Sequence, residues 1–100
     1  MFVHSPKRFA AKRVSESVST MDLLPTFVDI ATGSAPHNYA MPIQGRSLLP
    51  HLKGNGGHDE VIAEYFGEGT IAPLFMIRRG DYKYIHCHKD PDQLFDLKND

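Results

Sequence analysis

Tryptophan is absent from this chain of 100 residues, and cysteine occurs once, at Cys87. A single thiol cannot close an internal disulfide, and it cannot supply a multi-cysteine zinc centre. No apolar run approaches the roughly 20 residues that a helix needs to cross a bilayer, so no membrane partner is expected. Neither charge dominates: 11 Lys and Arg stand against 12 Asp and Glu, a net charge of -1. Dedicated nucleic-acid modules are usually basic, so no nucleic-acid partner is expected either. The opening stretch, Met1 to Arg13, lacks the apolar core of a signal peptide, and a bacterial cytoplasmic location is the expectation. Internal repeats and low-complexity segments are also missing. What remains is an ordinary globular composition, 41% hydrophobic and 23% charged, which argues against a long disordered tail. A domain of this size buries only about two thirds of its surface, so it folds with a thin margin.

Glycine and proline punctuate the chain at Gly33 to Pro42 and at Gly54 to Gly57, and both stretches read as loops. Phe2-Val3-His4, broken by Ser5-Pro6, reads as the tail of a strand. Val14, Glu16 and Val18 alternate with serines, which suggests a short extended stretch. Leu24, Phe27, Val28 and Ala31 then fall on one helical face. Pro25 has no N–H and belongs in the first turn, so Asp22 as N-cap would place it at the third helical position. Gly33 suits the C-terminal stop. A shorter helix follows, with Ser47 as cap, Pro50 in its first turn and Gly54 after its end. Val61 to Phe66, Leu74 to Arg79 and Tyr82 to Cys87 read as strands, the last two joined by the two-residue turn Gly80-Asp81. Asp90 to Leu97 reads as a turn and an ordered tail. Two helices followed by at least three strands predict an α+β unit, helices against a small antiparallel sheet. Its divisions are residues 1–13 as strand end and linker, 14–54 as the helical part and 58–100 as strands and tail. Leu24, Phe27, Val28, Leu48, Leu52, Ile62, Phe75, Ile77 and Ile85 are expected to share one core. Both ends read as truncated.

Three segments carry candidate chemistry. On a strand His86 and His88 would share a face, and with Asp90 or His51 they could hold a metal; the plainer reading is a polar strand end. Cys87 faces away from both histidines, so neither is placed to activate it, and an inert buried thiol is the better reading. Lys7, Arg8, Lys12 and Arg13 suit a solvated surface. The third segment, Glu64-Tyr65-Phe66-Gly67-Glu68-Gly69, runs a strand into a glycine-rich loop dense in acids and aromatics. Carboxylate plus aromatic face is the combination that binds a quaternary ammonium group. Against it stands an ordinary strand end with solvated glutamates.

Four segments together resemble one family: Val18-Ser19-Thr20-Met21-Asp22-Leu23-Leu24-Pro25-Thr26, Gly45-Arg46-Ser47-Leu48-Leu49-Pro50, Arg79-Gly80-Asp81-Tyr82-Lys83-Tyr84-Ile85 and Gln93-Leu94-Phe95-Asp96-Leu97-Lys98-Asn99-Asp100. Their order resembles the C-terminal part of a type I sulfatase, in the alkaline-phosphatase-like superfamily. The block from Val61 to Pro73, running into Met76-Ile77-Arg78-Arg79-Gly80, is most similar to the choline-sulfatase branch.

The resemblance implies a parent that hydrolyses a sulfate ester with a formylglycine, made from a cysteine in a Cys-x-Pro-Ser-Arg motif, and a divalent metal, usually calcium. Cys87 is followed by His88-Lys89-Asp90 and does not match that motif. No catalytic residue or metal ligand is therefore assigned, and no turnover is expected of the chain by itself. The expected partner is an N-terminal sulfatase domain, which this subdomain would flank on the substrate side. Apolar surface made for that domain would also invite a homo-oligomer. In the choline-sulfatase branch the leaving group is a cationic alcohol. That singles out Glu68 first and Glu64 second as substrate-binding charges, with Tyr65 or Phe66 as an aromatic face. The competing expectations are a non-catalytic interaction module and a small His-based metal-binding protein.

Overall fold

The computed structural model describes residues 1–33 and 37–100, so Ser34, Ala35 and Pro36 of the expected loop lie outside the described residues. The chain forms two compact units: residues 1–15 with 19–58, and residues 16–18 with 59–100.

The first unit is built on the Ser19 to Thr26 segment. A 3₁₀ turn, Thr20–Asp22, leads into helix α1, Leu23–Thr32, with the boundaries that the apolar spacing predicts. Pro25 sits at the third helical position, and Gly33 ends the helix in the left-handed region at φ 67°. The cap differs from expectation. Asp22 makes no side-chain cap bond to α1. The extra turn ahead of the helix makes Ser19 the capping residue, and the Asp22 carboxylate reaches back to the Ser19 N–H at 2.7 Å. Thr26 then ties α1 to the next segment: its hydroxyl donates to the Asp22 carbonyl at 2.5 Å and accepts from the Leu48 N–H at 2.8 Å. Helix α2, Leu49–Lys53, follows; its N-cap is Leu48 where Ser47 was expected, although Ser47 Oγ accepts from the Leu49 N–H at 3.3 Å.

This polar latch decides which side of α1 is covered. Pro25 and Thr26 are buried, whereas Leu24 and Phe27 are 54% and 62% exposed. The apolar face expected in the core is therefore an outer surface. Gly45 presses against the turn that starts the latch: a Cβ there would lie 2.1 Å from the Met21 carbonyl oxygen. Backbone cannot yield as a side chain does. Gly45→Ala is expected to cost about 1–3 kcal/mol, the range for overpacking. A melting midpoint unchanged by this substitution, followed by far-UV circular dichroism, would contradict the packing.

The second unit is a four-stranded antiparallel meander in the order β1-β2-β3-β4, with β1 Glu60–Tyr65, β2 Leu74–Arg79, β3 Tyr82–Cys87 and β4 Asp90–Asp96. Gly80, at φ 55°, makes the tight β2–β3 turn. The expected tail is a fourth strand: His88 and Lys89 form a turn, and the chain returns along β3. Asp90-Pro91-Asp92 has poor strand propensity, and Pro91 is tolerated because β4 is an edge. Pro91 and Asp92 together stand opposite His86, a bulge in the register. Ser17 joins this unit through its N–H, 2.6 Å from Asp59 Oδ1.

Pairing assigns the faces. Glu60, Ile62 and Glu64 lie opposite Arg79, Ile77 and Phe75, which continue to Tyr82, Tyr84 and His86. Ile62 and Phe75 are 47% and 41% exposed, while Cys87 on the other face is buried. Among the described residues the buried apolar side chains besides Pro25 are Leu48, Leu49 and Cys87. The expected core is thus corrected: of its expected members only Leu48 is buried, and Leu24, Phe27, Ile62 and Phe75 are exposed.

Candidate functional site

Strand β1 ends at Tyr65, and the loop beyond it is braced by that residue. The Tyr65 ring lies over Gly67, where a Cβ would come within 2.4 Å of Cζ. Its hydroxyl donates to the Glu68 carbonyl at 3.0 Å, and Thr70 Oγ1 donates to the Gly67 carbonyl at 3.2 Å. Gly69 takes φ 88°, which closes the turn and favours glycine. Tyr65 therefore works on the loop, and its ring is committed there.

Phe66 goes the other way. Its ring meets Phe75 edge-to-face, with centroids 5.8 Å apart and planes at 90°. Phe75 stands opposite Glu64 in the register. Glu64, Phe66 and Phe75 thus share one side of the sheet end, and the exposed Glu68 follows in the loop. Neither side-chain carboxylate has a hydrogen-bonding or ionic partner among the described residues. A carboxylate on the same side as two exposed rings can attract a cation that donates no hydrogen bond. Sequence reasoning missed Phe75; its signal was the Gly80-Asp81 hairpin and the apolar strand before it, but the β1–β2 register was needed to set it beside Glu64.

A second cluster lies on the same face. Asp92 bridges β4 to β3, accepting from the Tyr84 hydroxyl at 2.6 Å and lying within hydrogen-bond distance of His86 Nδ1 at 2.6 Å. These bonds hold the Asp92 carboxyl below its usual pKa and push the Tyr84 phenol above its own. His86 is engaged with Asp92, His88 lies in the turn and His51 is buried in the first unit. Among the described residues no three His, Cys, Asp or Glu side chains converge on a metal position. The alternative in which His86 and His88, with Asp90 or His51, share a metal finds no such cluster among the described residues. Cys87 is buried, with Sγ 3.8 Å from the Ala72 carbonyl.

The first unit holds a buried carboxylate of a different kind. Asp22 accepts from the Ser19 and Arg46 N–H groups at 2.7 and 2.8 Å and pairs with His58 Nε2 at 3.1 Å. Burial alone would raise its pKa; the bonds from Arg46, Ser19 and His58 outweigh that and lower it. Asp22 joins residues far apart in sequence and is a structural hub. Among the described residues no helix is long and apolar enough to cross a membrane.

Comparison with known proteins places these features in a family. The family described as N-sulphoglucosamine sulphohydrolase, C-terminal, matches residues 1–100. The choline-sulfatase of Rhizobium meliloti (strain 1021) is 40% identical over 82 residues, covering 82% of this chain and 16% of that protein. The Delta 4,5-hexuronate-2-O-sulfatase of Bacteroides thetaiotaomicron is 36% identical over 87 residues, covering 81% of this chain and 17% of that protein. Arylsulfatase K of Homo sapiens is 33% identical over 103 residues, covering 91% of this chain and 18% of that protein. The chain spans less than a fifth of the length of each of these three relatives. The capped turn at Ser19 to Asp22, the close-packed Gly45 and the four-stranded meander all lie within the matched stretch, and the chain belongs to the sulfatase family, as a C-terminal sulfatase subdomain.

Proposed function

We propose that this chain is the substrate-side part of a sulfuric ester hydrolase that converts choline sulfate and water to choline and sulfate. The observation that carries this reading is the end of the sheet, where Glu64 shares a side with Phe66 and Phe75 and the exposed Glu68 follows in the loop. A trimethylammonium group has a permanent charge and offers no strong hydrogen bond. Negative charge and aromatic faces are what can recognise it, at about 0.5 to 2 kcal/mol for each cation–π contact. The similarity to a choline-sulfatase supports the same reading. Glu68 ranks first because its loop position leaves the carboxylate free to reach a ligand, with Tyr65 fixing the loop. Glu64 ranks second, with Phe66 and Phe75 as its aromatic partners.

In this reading the chain binds and orients the leaving-group end of the ester. An N-terminal sulfatase domain supplies the formylglycine nucleophile and the calcium that holds the sulfate. The test is a chimera in which this chain replaces the matching segment of the Rhizobium meliloti choline-sulfatase. The chimera is expected to keep choline sulfate hydrolysis within about tenfold of its parent, a loss of about 1.4 kcal/mol at most. The chain alone is expected to show no turnover, with or without calcium. A folded chimera that cleaves an aryl sulfate but not choline sulfate would move the chain to another sulfate ester. Metal-dependent turnover by the isolated chain, lost on mutating one of its own residues, would refute the division of labour.

A further inference from the structure

The substrate reading leaves one neighbour of the aromatic pair unused. The strand register sets Glu64, Phe75 and His86 in one row across β1, β2 and β3. Phe66, just past β1, meets Phe75 edge-to-face. A cation seated on Phe75 would have a carboxylate on one flank and an imidazole on the other. Imidazole is the side chain whose charge ordinarily changes between about pH 5 and 8.

Asp92 fixes the position of that imidazole. Its Oδ1 lies 2.6 Å from His86 Nδ1, and its Oδ2 accepts from the Tyr84 hydroxyl at 2.6 Å. The Tyr84 bond first, and the His86 bond after it, hold the Asp92 carboxyl below its usual pKa, so Asp92 stays ionised through this window. Asp92 offsets the ring in either state, and a ligand feels the difference of one unit charge. The other titratable groups around the ring are Tyr84 on its own strand, Glu64 on β1 and Glu68 in the loop. His88 and Lys89 in the β3–β4 turn and Asp90 at the start of β4 complete the set. Carboxylates, phenols and lysines ordinarily titrate outside the window, and His88 is the group to be controlled for.

We infer that His86 is a specificity-determining residue of the cation site: neutral, it admits a quaternary ammonium group onto Phe75, and protonated, it turns that group away. The inference rests on the substrate reading above, since it needs the sheet end to take a cation. Like charges on neighbouring strands of one face repel. The His86 and Asp92 side chains are 45% and 50% exposed, so water and salt weaken the repulsion. An effect of about tenfold is expected, well short of what a dry site would give.

The test is titration of the full chain with tetramethylammonium chloride at low salt, read by NMR from the ring signals of Phe75 and His86. The dissociation constant is expected to be about tenfold higher at pH 5 than at pH 8. By reciprocity, saturating tetramethylammonium should move the titration midpoint of the His86 ring down by about one pH unit. His86→Gln, on an exposed side chain, is expected to bind equally at both pH values. His86→Lys carries its charge throughout and is expected to bind about tenfold more weakly than the parent at pH 8, a comparison that needs no acidification. His88→Gln should keep the pH dependence. Tert-butanol has the same shape without the charge and should show none. Tetramethylammonium bound equally at pH 5 and 8, or bound by His86→Lys as by the parent, overturns this inference and leaves the substrate reading standing. A pH dependence that survives in His86→Gln overturns it too. No binding by the parent at pH 8 overturns both.

Discussion

Asp22→Ala is expected to unfold the first unit. The carboxylate is 4% exposed and holds the Ser19 N–H, the Arg46 N–H and His58 at once. Alanine would leave two part-buried amides and an imidazole without their acceptor. Each such orphan costs about 1–3 kcal/mol. A loss of about 3–5 kcal/mol consumes most of the stability of a small domain. Asp22→Asn keeps one acceptor oxygen and is expected to be milder. The acid limb follows from the same bonds. The Asp22 pKa is lowered in the folded chain, so its contribution is present in full above the unfolded carboxylate value. It is lost as pH falls below about 4 through the lower folded value. Urea unfolding followed by helical circular dichroism should show both effects. An alanine variant as stable as the parent, or with the same loss on acidification, would contradict the hub.

How far the sequence carried this reading differs by element. Helix α1 was legible to the residue, because Pro25 and Gly33 mark its first turn and its stop by steric rules that tertiary structure does not override. The Gly80-Asp81 hairpin was legible for the same kind of reason. Strand β4 was not, since Asp90-Pro91-Asp92 takes its extended form from pairing with β3 and from the Asp92 bridge to Tyr84 and His86. The role of Asp22 was half legible. A cap was expected, but its partners Arg46 and His58 lie 24 and 36 residues away, beyond any local rule. The inside of α1 was misread, because apolar spacing tells which residues share a face and Thr26 decides where that face points. At the candidate site, strand alternation separates Tyr65 from Phe66, as the structure does. The bracing of the loop by Tyr65 and the approach of Phe75 to Phe66 needed coordinates.

Removing the charge of Glu68 has the second large effect, on substrate choice. A carboxylate about 5 Å from a quaternary ammonium at an effective dielectric of about 20 contributes about 3 kcal/mol before its own desolvation. A net loss of about tenfold to a hundredfold in kcat/KM is therefore expected for Glu68→Gln with choline sulfate. A neutral aryl sulfate places no cation there and should be cleaved almost as before. The measurement is the ratio of kcat/KM for choline sulfate to that for the aryl sulfate, in the active chimera and its Glu68→Gln variant. The proposed role predicts that this ratio falls by about tenfold or more while aryl sulfate cleavage holds. An equal loss on both substrates, or no change on either, would contradict the assignment of this loop to the cationic end of the ester.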